Sequence, residues 1–123
     1  MRITPDPGTL PDFAEAVLAI VDQIPPGKVL AYGDVAELLG HGGPRQVGSV
    51  MSRYGASVSW WRVIRASGEA PPGLAEQALA QWRAEGTPLV AGMLARRRVD
   101  MTRARWDAEG ALGADSDTPE QSR

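Results

Sequence analysis

Apolar residues recur at three- and four-residue intervals through the first half of the chain, which is the spacing of one buried face of an α-helix. This spacing predicts a first helix over about residues 11–23, with Thr9 as its N-cap, and a second over about residues 33–39. A third helix is predicted to begin at Pro44, after a glycine-rich turn. Its expected buried stripe consists of Val47, Val50, Met51 and Tyr54. Two short helices across such a turn indicate a helix-turn-helix.

The middle of the chain carries two adjacent tryptophans, Trp60 and Trp61, followed by Arg62. If this stretch is a strand, neighbouring side chains point to opposite faces, so the two rings cannot share one core. One of them should then lie in a pocket or at the surface, where an indole beside a guanidinium can stack on a nucleobase. The alternative is a core tryptophan with a neighbour whose polar end reaches solvent. Gly48, inside the third helix, indicates a close approach of that backbone to another helix or to a ligand.

The second half of the chain predicts one more helix and a packed extended segment. The helix is defined by Leu74, Ala78, Leu79 and Trp82 and ends at a glycine. Residues 96–106 alternate loosely around Val99 and Met101, which favours a short strand or an extended segment that packs back on the domain. From residue 107 onward, acids, glycine, serine and proline predict disorder. We therefore expect a single domain over residues 1–106 and an acidic tail over residues 107–123.

The residue types present exclude several kinds of chemistry. The chain has no cysteine, which excludes disulfides, thiolate metal sites and a thiol nucleophile. Its single histidine, His41, lies in a glycine-rich loop and is expected to be solvated, so we predict no metal site and no cofactor. No apolar run approaches the roughly 20 residues that cross a bilayer, and the N-terminus lacks a signal pattern. We expect no membrane association and a cytoplasmic location.

The net charge of −2 is distributed very unevenly along the chain. Residues 38–68 contain no acid, whereas Arg45, Arg53, Arg62 and Arg65 give this segment a charge of +4. Residues 89–106 carry five arginines and one aspartate, which gives another +4. Because local potential governs phosphate binding more than total charge does, these segments can present a basic face to nucleic acid. The alternative is a set of unrelated, solvated charges.

Five sequence blocks resemble the DNA-binding domain of O6-alkylguanine-DNA alkyltransferases, and are more similar to its non-enzymatic relatives, the alkyltransferase-like proteins. The blocks are IPPGKV (residues 24–29), AYGDVA (31–36), PRQVG (44–48), WWRVI (60–64) and AEG (84–86). The similarity extends over about residues 11–106. It implies a mainly α fold with short strands, of a winged-helix-like helix-turn-helix type. It also implies a monomer that binds double-stranded DNA containing O6-alkylguanine near the nucleoid and flags the damage for nucleotide excision repair.

The resemblance implies roles for individual residues. Tyr32 matches a tyrosine that pushes on the phosphate of the target nucleotide, and Arg45 matches an arginine that replaces the flipped base, on a helix in the minor groove. Trp60 falls where the enzymes carry their acceptor cysteine, so a pocket here could hold a guanine without accepting its alkyl group. Glu85 matches the acid of the enzymes' cysteine-activating relay, and we expect it here as a structural partner of the Trp61 indole. The expected lesion pocket is Tyr32, Met51, Trp60, Trp61, Arg62 and Val63. The expected DNA contacts are Tyr32, Arg45, Gln46, Ser49, Arg53 and Arg65.

The chain departs from the family pattern at three positions. Ser59 replaces a proline and Trp61 a histidine, which changes the shape expected for the pocket. Ala31 stands where serine or threonine usually caps the second helix, a change that costs about 1 kcal/mol. The main alternative function is a sequence-specific winged-helix transcriptional regulator that reads the major groove. An enzyme, either an alkyltransferase or a nuclease, is disfavoured because no cysteine or cluster of metal ligands is present. A protein-interaction adaptor without DNA binding is the remaining alternative.

Overall fold

A computed structural model of the protein describes residues 11–92 and 97–108. The α-helices are α1 (Asp12–Gln23), α2 (Tyr32–Leu39), α3 (Pro44–Tyr54), α4 (Ala75–Glu85) and α5 (Met101–Ala104). The strands are β1 (Leu30–Ala31) and β2 (Val63–Ile64), and single 3-10 turns cover Gly55–Ser57 and Trp60–Arg62. The prediction of a mainly α fold with short strands is confirmed. None of the described helices is long and apolar enough to cross a membrane.

Helices α1, α2 and α3 enclose the larger of two hydrophobic clusters. Helix α2 begins after Ala31, whose backbone N–H donates to the Asp34 carboxylate at 2.8 Å. This is half of a capping box, because Ala31 has no side-chain oxygen with which to reciprocate. Helix α3 begins at Pro44, and the N–H of Gly43 donates to the Gln46 side-chain oxygen at 3.0 Å. The four-residue turn between α2 and α3 lets the two helices pack on each other, as predicted for a helix-turn-helix.

The two strands pair in parallel and separate the two hydrophobic clusters. Leu30 lies opposite Val63 in the register, and both side chains belong to the first cluster. Val29 and Ile64 point to the other face and belong to the second cluster. Strand β2 is therefore buried on both faces. The turn that immediately precedes it, Trp60–Arg62, is thereby held between the α1–α3 layer and α4.

Helix α4 packs through Trp82, which is 1% exposed and lies in the second cluster as predicted. The indole N–H of Trp82 donates to the backbone oxygen of Trp61 at 2.8 Å. Because a buried indole needs an acceptor for its N–H, this bond fixes the Trp60–Arg62 turn, called the tryptophan turn below, against α4. The helix ends at Gly86, whose φ of 72° is the left-handed conformation that glycine adopts readily.

The prediction of one strand or extended segment over residues 96–106 is wrong in its middle part. Val99 forms an antiparallel bridge with Leu89, and Arg105 forms a parallel bridge with Val29. Between these bridges lies the short helix α5, because the carboxylate of Asp100 accepts a hydrogen bond from the backbone N–H of Thr102 and acts as its N-cap.

Some predictions fall on positions that the structure does not describe. The Thr9 cap and nearly all of the expected tail lie outside the described residues. Ala108, the last described residue, is 4% exposed, so the packed part of the domain continues at least two residues beyond Trp106. His41 is exposed as predicted, with its ring 5.2 Å from that of Phe13 between centroids. The described part of the chain contains no group of three or more His, Asp or Glu side chains arranged to bind a metal ion.

Candidate nucleic-acid interface

An open cavity of about 800 Å³ lies between α3 and the segment that leads from β2 into α4. This volume is in the range of small-molecule sites, roughly 300–1,000 Å³. The lining residues are mostly apolar: Tyr32, Pro44, Gly48, Met51, Ser52, Gly55, Ala56, Trp60, Val63, Pro71, Pro72, Leu74 and Gln77. Four of the six residues predicted for the lesion pocket are thus brought together around one hollow: Tyr32, Met51, Trp60 and Val63.

The tryptophan pair lies in a 3-10 turn, so the condition that this stretch is a strand is not met. Consecutive side chains in such a turn are about 120° apart, and the two rings meet edge to face, with centroids 5.6 Å apart and planes at 84°. Trp60 lines the cavity, whereas Trp61 does not. Neither ring is fully buried. The expectation that one tryptophan lines a pocket agrees with this geometry. The alternation of side chains along a strand, on which that expectation depended, does not apply to a 3-10 turn.

Trp61 and Arg62 were also predicted for the lesion pocket, but they are not among the residues that line this cavity. Both side chains are instead bound by Glu85 at the end of α4. The Trp61 indole N–H donates to the Glu85 carboxylate at 2.8 Å, which confirms the predicted hydrogen bond. The Arg62 guanidinium donates to the same carboxylate from two of its nitrogens. The polar groups of both side chains are thus bound by residues that do not line the cavity.

The Glu85 carboxylate also ties this turn to the rest of the domain. It accepts the backbone N–H of Gly27 at 3.0 Å, while Arg62 donates to the backbone oxygen of Ile24 at 2.9 Å. Burial alone would raise the pKa of Glu85. The hydrogen bonds from Arg62, Gly27 and Trp61 together outweigh burial and leave this pKa below its ordinary value. Glu85 is therefore a fully engaged carboxylate rather than an available base.

Tyr32, the first residue of α2, lines the cavity on the side of the first cluster. Its burial raises the pKa of the phenol, and the positive charge of Arg65 offsets only part of this effect. The phenol is therefore neutral near pH 7 and can donate a hydrogen bond. Arg65 itself forms an ion pair with Glu69 at 3.4 Å, in which both side chains are about half exposed.

Helix α3 presents two adjacent stripes, each with a four-residue spacing. Pro44, Gly48 and Ser52 line the cavity, and the next stripe, Arg45, Ser49 and Arg53, is exposed. Neither Arg45 nor Arg53 forms an ion pair with any described residue. A helix with two free guanidinium groups beside a cavity can follow a phosphate backbone while it presents the cavity to a base.

Two α3 residues differ from expectation. Among the residues that the structure describes, no atom outside the helix lies within 4 Å of the position that a Cβ atom would take at Gly48. Gly48 therefore leaves the cavity wall open, and no described helix approaches it closely at this point. Gln46 is exposed, but its side-chain oxygen already accepts the N–H of Gly43. Its amide nitrogen remains fully available for a contact with DNA, and its oxygen can accept one further hydrogen bond.

The far wall of the cavity was missed by sequence reasoning. It is formed by Pro71, Pro72, Leu74 and Gln77, from the loop before α4 and the first turns of that helix. The loop was predicted only as a connection. Its sequence does contain a usable signal, because two consecutive prolines make a stiff apolar surface that suits a wall better than a flexible link.

Comparison with known proteins identifies the family. Residues 12–87 match the sequence profile described as 6-O-methylguanine DNA methyltransferase, DNA binding domain. The chain belongs to this family. The matched region contains every residue named above around the cavity, together with Glu85.

Three relatives carry the name DNA base-flipping protein, and two of them are described here. The one from Escherichia coli (strain K12) is 39% identical over 101 residues, which cover 77% of this chain and 74% of that protein. The one from Vibrio parahaemolyticus is 37% identical over 60 residues, or 46% of this chain, and the match spans only 60% of its length.

Two solved structures from S. pombe share the fold. Atl1 in complex with damaged DNA containing O6-carboxymethylguanine superposes with a TM-score of 0.67 at 26% identity. ATL in complex with DNA gives a TM-score of 0.66 at 27% identity. Each alignment covers 78% of this chain and 95% of the S. pombe chain.

Proposed function

We propose that this protein binds O6-alkylguanine in duplex DNA by rotating the damaged base through the minor groove into the cavity beside Trp60. The observation that carries the proposal is the open, mostly apolar cavity next to the free guanidinium of Arg45 on α3. The names of the bacterial relatives and the DNA complexes of the S. pombe proteins support it.

The energetics of base flipping fit these residues. Extruding a base costs a few kcal/mol of stacking and pairing. An indole that stacks on a base contributes about 1–3 kcal/mol, and Trp60 is available for this contact at the cavity wall. A side chain that fills the vacated position offsets more of the cost. Arg45, at the exposed start of α3, has the length and the donors to fill that position and to bind the unpaired cytosine.

Two features support binding without alkyl transfer. The chain has no cysteine, and the resemblance places Trp60 at the acceptor position. An indole carbon framework offers no nucleophile comparable to a thiolate. The corresponding acid, Glu85, is held by Arg62 and Trp61 and has a lowered pKa, so it is poorly suited to act as a general base.

The wider role follows from recognition without repair. A protein that holds a lesion and leaves it unchanged can act by leading other proteins to the damage. We therefore propose that the bound protein acts as a monomer on nucleoid DNA in the cytoplasm and marks the site for nucleotide excision repair.

The test is a titration of matched duplexes that contain guanine or O6-methylguanine at one position, in several sequence contexts and at fixed salt. We expect tighter binding of the methylated duplex in every context, and an unchanged protein mass after incubation. Equal affinities would contradict lesion recognition, and strong binding to one unmodified sequence would instead favour a transcriptional regulator. A gain of one methyl group in the protein mass would contradict the absence of transfer.

A further inference from the structure

None of the described residues that line the cavity carries a charge. Its polar groups are the neutral phenol of Tyr32, the hydroxyl of Ser52 and the amide of Gln77. The wall that faces α3 is apolar, since Pro71, Pro72 and Leu74 form most of it. The cavity can therefore bind a neutral group through van der Waals contacts and hydrogen bonds, but its lining residues provide no counter-ion for a charged group.

Two arginines close to this lining, Arg62 and Arg65, are already paired, and Arg45 and Arg53 lie on the neighbouring exposed stripe of α3, where the proposed complex uses them on DNA. Arg62 donates to Glu85 behind the tryptophan turn, where the two side chains are 14% and 11% exposed. Arg65, whose charge acts on Tyr32, pairs with Glu69. Arg62 and Arg65 thus each present their charge together with that of a carboxylate, and neither side chain lines the cavity. An anion that enters would lose water without gaining a cation from the lining itself, which is costly in an apolar site.

From this lining we propose that the cavity selects adducts by charge, so that neutral O6-alkyl groups bind more tightly than anionic ones of the same size. The inference rests on the proposed function and specifies the substrate class of the same site. Size alone does not explain such selection, because a carboxylate and a primary amide have nearly the same shape. The difference lies in desolvation of the charge.

The experiment compares duplexes that carry O6-carboxymethylguanine, its neutral isostere O6-carbamoylmethylguanine, or plain guanine at one position. The carboxymethyl adduct is a suitable probe because the S. pombe Atl1 structure contains DNA with this adduct. At pH 7 and constant salt, we expect the carbamoylmethyl duplex to bind roughly tenfold more tightly than the carboxymethyl duplex. Equal binding of the two, or tighter binding of the carboxymethyl duplex, would overturn the inference.

A matched pair of variants separates charge in the cavity from general attraction to DNA. Gln77 lines the cavity, whereas Gln81, one turn later on the same exposed side of α4, does not. We expect Gln77→Lys to reduce the preference for the neutral adduct to less than about threefold, because the new cation pairs with the carboxylate. Gln81→Lys should change the affinity for both adducts by the same factor. If the two variants alter the preference equally, the inference is wrong.

The proposed function has its own outcome in the same experiment. If neither adduct binds more tightly than plain guanine, lesion recognition fails. If both bind more tightly than guanine but equally to each other, lesion recognition stands and charge selection fails.

Discussion

Replacing Glu85 by alanine should destabilise the domain far more than removal of a surface carboxylate. The Glu85 carboxylate accepts hydrogen bonds from Trp61, Arg62 and the backbone of Gly27, so alanine leaves all three donors without this partner. Truncating one member of a buried ion pair costs about 3–5 kcal/mol. Because the Arg62 side chain is 14% exposed, water can hydrate part of the orphaned charge, and we expect a cost near the lower end, about 3 kcal/mol.

The assay is urea unfolding at pH 7, followed by far-UV circular dichroism for the wild type and each variant. Glu76→Ala is the matched control on the same helix. Its ion pair with Arg97 joins side chains that are 82% and 54% exposed, so we expect a loss below about 1 kcal/mol. The isosteric change Glu85→Gln removes the charge but keeps an acceptor, so its cost should lie between the two. Equal losses for Glu85→Ala and Glu76→Ala would refute this description of the tryptophan turn.

Three further predictions concern acid stability and DNA binding. Since the pKa of folded Glu85 lies below its ordinary value of 4.5, its stabilisation is present above that pH and is lost as pH falls through the lower folded value. Unfolding measured from about pH 5 to pH 3 should therefore show a flatter decline for Glu85→Gln than for the wild type, and identical slopes would contradict this. Arg45→Ala should weaken binding of an O6-methylguanine duplex roughly tenfold more than binding of plain duplex, whereas Arg53→Ala should weaken both alike; fluorescence anisotropy distinguishes these results. Trp60→Ala should reduce lesion affinity by roughly tenfold or more through lost stacking, with partial recovery in Trp60→Phe, and unchanged affinity would exclude a stacking role.

The helices and their buried faces could be predicted because each depends on local spacing and on nearby turn residues. Helix α3 begins at Pro44 as expected, and α4 ends at a glycine with positive φ. The family resemblance supplied the positions around the cavity, and it also led to the bond between Glu85 and the Trp61 indole, residues 24 positions apart.

The sequence-based predictions differ from the structure where contacts between residues distant in sequence decide the local conformation. The residue types of the Trp60–Arg62 segment are compatible with a strand, but the segment forms a 3-10 turn. In this turn Glu85 on α4 binds both Trp61 and Arg62. The same contacts remove Trp61 and Arg62 from the cavity lining. The wall contributed by Pro71 and Pro72 was missed because the two prolines indicate a stiff apolar surface but do not show which element that surface faces.

The central claim is that the extruded guanine lies against Trp60, and fluorine NMR of protein labelled with 5-fluorotryptophan tests it directly. The chain contains four tryptophans, and the variant Trp60→Phe assigns the resonance of interest. Trp82, which is 1% exposed in the second cluster, provides an internal reference. We predict that an O6-methylguanine duplex shifts the Trp60 resonance and leaves that of Trp82 in place, while plain duplex shifts neither. A Trp60 resonance that does not move when the damaged duplex is fully bound would contradict the account.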